Sequence, residues 1–165
     1  MKILLRAFRE SDFDAFHAIV SDFDVVKMTS SWPFPAEEEF TRMRMNTPEA
    51  KSGVVKVIDV DGTLAGVVGI VNSDVGYHIG KDFWGRGIMT QALKLRIAEE
   101  FLKPEVDGIK ACVWHDNPAS GRVLEKAGFK RAFTCADYCK ARDAEMDAIH
   151  YKLSREDWLE LEGAT

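Results

Sequence analysis

Residues 74–93, "DVGYHIGKDFWGRGIMTQAL", contain the change of hydrophobic period that decides the fold. Apolar residues alternate with polar or small ones over residues 74–79, which predicts a strand. From Ile88 onward they recur at helical spacing until Pro104 ends the pattern. Gly85 and Gly87 lie between the two patterns. A strand that runs through glycines into a helix leaves backbone N–H groups unpaired at the helix start, which suits a phosphate, although the same glycines also suit a plain tight turn.

Two common phosphate-binding motifs are excluded at this turn. The nucleotide triphosphate loop requires Gly-Lys-Ser/Thr, and no lysine follows Gly87 before Lys94. The dinucleotide motif requires a third glycine, which the segment "GRGIMTQA" does not supply. An anion site of another kind and a plain tight turn both stay open at this point.

The rest of the chain gives alternating strand and helix patterns. In the first half we predict a strand at 2–6, a helix at 12–22 capped by Ser11, a helix from 36 to about 45, and two strands joined by a hairpin at Asp61-Gly62. In the second half we predict a strand at 108–115 and a helix at 119–128, with Asn117 as its N-cap. Strands at 129–135 and 145–153, separated by a charged connection, and a final helix at 155–162 capped by Ser154 complete the prediction. This order favours a mixed α/β sheet with helices on both faces.

Composition limits the class of protein. The 165 residues are 46% hydrophobic, which is enough for one well-buried core, so we expect a single domain over residues 1–165. A net charge of −5 argues against a nucleic-acid partner. The longest apolar run, residues 64–71, is too short to span a membrane, and Arg6 and Arg9 break the N-terminal apolar run too early for a secretory signal. We therefore expect a cytoplasmic protein.

The three cysteines are Cys112, Cys135 and Cys139, an odd number that indicates free thiols. Cys135 and Cys139 are close enough in sequence to join His115 or His150 around zinc, but their spacing matches no Cys-x-x-Cys motif. We expect no metal.

A second segment, "VWHDNPASGRVLEKAGFKRAF" at residues 113–133, begins 20 residues after the end of the first. Together the two segments resemble the GNAT superfamily of acyl-CoA-dependent N-acetyltransferases, and are most similar to the RimJ/RimL-like branch that acetylates the N-termini of ribosomal proteins. The resemblance runs from "LLRAFRESDFDAF" to "IHYKLSREDW", almost the whole chain. It implies a GNAT-type mixed, mostly antiparallel sheet of six to seven strands flanked by helices on both faces, with acetyl-CoA as cosubstrate and direct transfer in a ternary complex.

The resemblance also implies which residues bind the cofactor. The backbone N–H groups of the turn at Gly85 and Gly87, which we call the glycine turn, would bind the CoA diphosphate. The residues concerned are Trp84, Gly85, Arg86, Gly87, Ile88, Met89 and Thr90. Asn117 would contact the pantetheine arm, or else serve only as an N-cap. Main-chain N–H groups of Tyr77, His78 and Ile79 would bind the thioester carbonyl.

The catalytic residues implied are Asp74 and Ser120. Asp74 would act as general base, directly or through water, at a position where the branch commonly has glutamate; an inert exposed aspartate is the alternative. Ser120 would protonate the departing CoA thiolate, and Tyr138, expected in a loop that closes over the site, is an alternative donor. His78 is either a proton relay or structural.

The acceptor is expected to be an amine, either a protein N-terminus or a small molecule. Trp32 and Phe34, with the acidic helix start at residues 37–39, would form the acceptor pocket. Alternatively, they form a packed loop beside a solvated helix start.

Other functions remain as alternatives. Because aspartate replaces glutamate at residue 74, the chain is alternatively a non-catalytic acyl-CoA-binding or protein-interaction module, and a nucleotide-binding enzyme is a more remote alternative. The terminal segment with Trp158, Leu159 and Leu161 packs within the chain or forms a homodimer.

Overall fold

The computed structural model describes residues 1–163 and is built on one seven-stranded sheet in the order β1-β2-β3-β4-β5-β7-β6. Every neighbouring pair is antiparallel except β4 and β5, which are parallel. The strands are β1 (Ile3–Arg6), β2 (Val55–Val60), β3 (Thr63–Val71), β4 (Asp74–Ile79), β5 (Gly108–Trp114), β6 (Lys130–Cys139) and β7 (Ala144–Ser154). The predicted mixed, mostly antiparallel sheet is confirmed.

Helices cover both faces of this sheet. They are α1 (Phe13–Val20), α2 (Phe23–Val26), α3 (Glu38–Met45), α4 (Pro48–Lys51), α5 (Ile88–Glu100), α6 (Pro118–Lys126) and α7 (Arg155–Gly163). One buried cluster joins Leu93 and Ile97 of α5 to Ile70 of the sheet, and another joins Phe16 of α1 to Val57. None of the helices in the described part of the chain has both the length and the apolar character to cross a membrane.

The sheet opens in its middle. Among residues 1–163, β4 and β5 pair only at Asp74 and Lys110, where the Lys110 N–H donates to the Ser73 carbonyl at 2.8 Å. Strand β4 stays paired with β3 up to Ile79, which lies opposite Gly66. The two parallel strands therefore diverge after Asp74, and the gap between them widens toward the start of α5.

Two helix starts differ from the prediction. Ser11 does not cap the first helix: the Asp12 carboxylate accepts the Arg9 N–H at 2.7 Å and forms an ion pair with Arg6 at 2.8 Å. The third helix begins at Glu38 rather than residue 36. The prediction also lacked α2 and α4, because four residues are too few to show a hydrophobic period.

The C-terminal hairpin is longer than predicted. Residues 136–139 continue β6 and pair with 144–147 of β7, where the sequence predicts a charged connection. β6 is an edge strand whose residues are exposed up to Tyr138, and charged side chains are compatible with such a strand because they stay in water. Of the charged residues in the predicted connection, Asp137 belongs to this solvated strand, whereas Lys140, Arg142 and Asp143 lie in the turn that follows it.

Candidate active site

Two cavities meet in the gap between β4 and β5. The larger cavity, of about 710 Å³, is lined by residues of β3, β4, β5 and the segment 28–32. The smaller cavity, of about 490 Å³, is lined by β4, the start of α5 and α6. Tyr77, His78 and Ser120 line both cavities, as do Met28 and Thr29. A group held in one cavity can therefore meet a group held in the other at this shared wall.

The glycine turn forms one wall of the smaller cavity. Gly85 and Gly87 have φ angles of +71° and +73°, a left-handed conformation that favours glycine. Helix α5 starts at this turn with neither a side-chain cap nor an acidic residue in its first turn. In the described chain, the backbone N–H groups of residues 85–90 have no protein acceptor. The predicted row of free donors at the helix start is present, and its binding of a diphosphate stays a prediction.

Side chains around the turn fix its position. Ile88 and Met89 are buried in the core below it. The Trp84 indole lines the smaller cavity and donates to the Ile79 carbonyl at 2.9 Å. The Arg86 guanidinium points toward the Phe83 ring at 5.7 Å and the Met1 sulfur, so its charge lies outside the smaller cavity.

Helix α6 contributes cations that the sequence analysis missed. Arg122 and Lys126, one helical turn apart, both line the smaller cavity. Their i, i+4 spacing was visible, but the direction of that helix face depends on tertiary packing. Asn117 also lines this cavity, and its Oδ1 accepts the Ser120 N–H at 3.2 Å. The N-cap role is therefore present, and the Nδ2 group is the part of Asn117 left for a ligand.

The backbone of β4 presents its free groups to the gap. The Gly80 N–H donates to Ala65 on β3, and successive residues of a strand point their N–H groups to opposite sides. Tyr77 and Ile79 therefore turn their N–H groups toward the gap, whereas His78 turns its N–H group toward β3. Of the three predicted carbonyl donors, Tyr77 and Ile79 are oriented for the role and His78 is not.

Tyr77 and Ser120 form a hydroxyl pair where the cavities meet. The Tyr77 oxygen lies 2.6 Å from Ser120 Oγ, and the phenol also donates to the Ser120 carbonyl at 3.2 Å. Burial raises the pKa of Tyr77 to about 12, against the lowering effect of the Ser120 hydrogen bond. Both hydroxyls are therefore protonated at neutral pH and can supply a proton. The Tyr77 side chain was missed because its strand position indicated only core packing.

Asp74 lies at the far end of the gap. It is three residues from Tyr77, about 10 Å along a strand. Its side chain is 56% exposed, 3.8 Å from the Lys110 ammonium. Burial of the carboxyl raises the pKa of Asp74, against the lowering effects of Lys110 and His150. From this position Asp74 reaches the meeting point of the cavities through water or through an extended acceptor.

The predicted acceptor residues are placed differently from one another. Trp32 is buried and lines the larger cavity, as expected. Phe34 lines neither cavity: its side chain is 45% exposed and packs on Phe23, with the ring centroids 4.9 Å apart. Tyr138 lies on strand β6, and its phenol donates to Asp143 at the hairpin end. The prediction that Tyr138 lies in a loop that closes over the site is wrong, because the charged segment around it is paired strand.

His78 is buried between aromatic rings in the larger cavity. It stacks on Phe16 at 5.8 Å and meets Trp32 edge-on at 5.7 Å. Burial, with a smaller effect from Arg44, lowers the pKa of His78 to about 3. Its Nε2 atom is buried and has no hydrogen-bond partner among residues 1–163. His78 is therefore a neutral imidazole at physiological pH and does not carry a proton as a cation.

The cysteines lie apart from the turn. Cys135 Sγ lies 3.1 Å from His150 Nε2, whereas Cys139 is buried against the carbonyls of Lys27 and Thr29. Residues 1–163 contain no group of three or more His, Cys, Asp or Glu side chains arranged to hold a metal ion. The absence of a metal stays a prediction.

Known proteins share this architecture. Residues 2–130 match the family described as Acetyltransferase (GNAT) domain. The putative ribosomal N-acetyltransferase YdaF of Bacillus subtilis (strain 168) is 28% identical over 114 residues, 65% of this chain and 62% of YdaF. The chain thus aligns with about three fifths of the length of this curated relative.

Solved structures extend the likeness to the whole fold. An acetyltransferase (GNAT family) from Bacillus anthracis has a TM-score of 0.80 at 22% identity and covers 94% of this chain and 96% of its own. A RimL ribosomal L7/L12 alpha-N-protein acetyltransferase in complex with coenzyme A has a TM-score of 0.75 at 23% identity, covering 93% and 94%. At these identities the likeness is one of fold, and function has to be argued from the site.

Proposed function

The chain belongs to the GNAT acetyltransferase family, and from that premise we propose that it is an acetyl-CoA-dependent N-acetyltransferase acting on a primary amine. The resemblance to the GNAT superfamily and its RimJ/RimL-like branch is thereby confirmed. The observation that carries the proposal is the meeting of two cavities at Tyr77, His78 and Ser120, one of them with a row of free backbone donors. Direct transfer between two bound substrates needs this arrangement.

The smaller cavity fits the cosubstrate by its chemistry. Free N–H groups at residues 85–90 suit a diphosphate, and the cations Arg122 and Lys126 suit further phosphate charge. The gap along β4 leaves room for an extended arm, with the Tyr77 and Ile79 N–H groups directed into it. These two donors would stabilise the oxyanion that develops on the thioester carbonyl.

The larger cavity would hold the acceptor amine. The amine nitrogen attacks the thioester carbonyl, the C–N bond forms and the C–S bond breaks. Ser120 supplies the proton for the departing thiolate and takes one from the Tyr77 hydroxyl, 2.6 Å away, and Tyr77 is in turn reprotonated from water. The proton released from the amine passes through water toward Asp74. An α-amine needs less help here than a lysine amine, because its pKa is lower by about 2.5.

Thiol release from acetyl-CoA tests the proposal. We expect turnover with at least one member of a panel of N-terminal peptides, polyamines and amino acids. Ser120→Ala should lower kcat at least tenfold while acetyl-CoA binding measured by calorimetry stays within about twofold. Saturable binding without turnover on any acceptor would instead indicate the non-catalytic module.

Three further properties are part of the same proposal. A protein N-terminus is the first acceptor to test, because YdaF, a relative of this chain, is described as a putative ribosomal N-acetyltransferase. We also propose a single domain over residues 1–165 and a cytoplasmic location. Sedimentation of the pure protein decides whether the terminal segment packs within one chain or forms a homodimer.

A further inference from the structure

Arg44 brings a cation without a carboxylate partner into the larger cavity. It extends from the last turn of α3, its guanidinium lies 4.8 Å from the centre of the Trp32 ring, and it donates to Ser31 Oγ at 3.3 Å. Within residues 1–163 no carboxylate lies within 4.0 Å of it, whereas Arg6 and Arg96 have one at 2.8 and 2.9 Å. Arg155 likewise has no carboxylate within that distance among these residues, but its guanidinium donates to three backbone carbonyls, whereas the guanidinium of Arg44 donates only to Ser31.

The neighbouring groups do not neutralise this charge. Burial lowers the pKa of Arg44, and Glu49 opposes that effect only from beyond ion-pair distance. A half-buried cation has lost part of its hydration, and a bound anion would compensate for that loss. The observation points to an anion as the missing partner.

His78 supplies a second, independent polar group on the same wall. Its Nε2 atom is buried without a partner, and the Trp32 ring touches both His78 and Arg44. A neutral imidazole protonated at Nε2 donates one hydrogen bond and adds no charge. The planar guanidinium of Arg44 thus offers two parallel N–H groups, and His78 offers one further N–H group. Together these donors match the hydrogen bonds that the two oxygens of a carboxylate accept.

The place of these donors constrains the acceptor. His78 follows Tyr77 directly in β4, so its side chain lies on the opposite face of the strand from the Tyr77 hydroxyl, against Phe16 and Trp32. An anion held by His78 and Arg44 would lie in the same cavity as the proposed acceptor amine. The same cavity is also lined by the carboxylates of Glu49, Asp74 and Asp137 and by the Lys110 ammonium, which lies 3.8 Å from Asp74.

We propose that Arg44 and His78 form a carboxylate subsite, and that the acceptor is a primary amine carrying a carboxylate close to the amine. This inference rests on the proposed N-acetyltransferase activity and narrows its substrate class. The carboxylate comes from a free amino acid or from an acidic first residue of a peptide.

Matched acceptors test the subsite. One arm compares L-aspartate with its diamide, and the other compares amidated peptides that begin with Asp or with Asn. In at least one arm, we expect the acceptor with the carboxylate to have a kcat/KM at least tenfold higher than its amide. The arm that shows this preference tells whether the carboxylate belongs to a free amino acid or to an acidic first residue of a peptide. Arg44→Gln should remove that preference. Arg42→Gln is the control, because Arg42 lies on the same helix, stacks on Phe13 at 3.7 Å and does not line the cavity.

A binding measurement separates the two proposals. L-aspartate and the Asp peptide are titrated by calorimetry into protein saturated with CoA, which allows no turnover. We expect saturable binding that Arg44→Gln weakens at least tenfold. Binding that depends on Arg44 without any turnover would overturn the proposed function alone. Turnover with equal use of amides and carboxylates would overturn the subsite alone, and the lack of both binding and turnover would overturn both.

Discussion

Replacing Gly87 by alanine separates the turn's role in the fold from its role in binding. Gly87 has a φ of +73°, which costs an L-residue about 1–2 kcal/mol. A Cβ built at Gly87 meets no heavy atom within 4 Å, so the backbone strain is the only cost within the protein. We expect the melting temperature to fall by about 2–8 °C, since each kcal/mol corresponds to about 2–4 °C in a protein of this size.

The effect on the cosubstrate should exceed this strain. Gly87 lines the smaller cavity at the row of free N–H groups. A methyl group at this position would occupy the space that the diphosphate needs in order to reach these N–H groups. Loss of one charge-assisted hydrogen bond, about 1.5–3 kcal/mol, corresponds to at least a tenfold rise in the Kd for acetyl-CoA.

Gly62 provides the matched control. It lies in the hairpin between β2 and β3, has a φ of +88°, leaves an added Cβ equally free of contacts, and lines neither cavity. Gly62→Ala should therefore lower stability by a similar amount and leave acetyl-CoA binding unchanged. Thermal unfolding and calorimetry on both variants give the comparison. Equal acetyl-CoA affinity in the two variants would refute the role of the turn.

Three further predictions concern charge. Because His78 has a folded pKa of about 3 against an unfolded value of 6.5, only the unfolded state gains its proton as pH falls. The free energy of unfolding should fall by about 2 kcal/mol more between pH 7 and pH 5 in the wild type than in His78→Gln, as measured by urea titration. Lys126→Gln should weaken CoA binding several-fold and reduce its salt dependence, whereas the exposed Lys94→Gln, outside both cavities, should not. Burial raises the pKa of Asp74, so turnover should decline with falling pH as this base takes up its proton, and Asp74→Asn should lower the rate and remove that decline.

The sequence predicted the parts of this protein that depend on local pattern. The change from alternating to helical period around Gly85 and Gly87 placed both β4 and α5, and glycine chemistry predicted the free donors between them. The N-cap at Asn117 followed from Pro118 in the same way. Each of these features is set by residues within one turn of one another, where propensity and capping act directly.

Features that depend on distant residues were not predicted. Tyr77 and Ser120 are 43 positions apart in sequence, and their hydrogen bond exists only because α6 packs beside β4. Arg44 reaches the cavity because α3 places its last turn over Trp32. Tyr138 was misplaced for a related reason: polarity was taken as the mark of a loop, but pairing with β7 makes the segment a strand.

Amide chemical shifts give the most direct test of the central claim, that the start of α5 binds the cosubstrate. In 15N-labelled protein titrated with CoA, we predict the largest saturable shifts at residues 85–90, with smaller ones at Tyr77 and Ile79 and none at Gly62. Shifts that leave residues 85–90 unmoved while CoA saturates the protein, or a titration that never saturates, would contradict it.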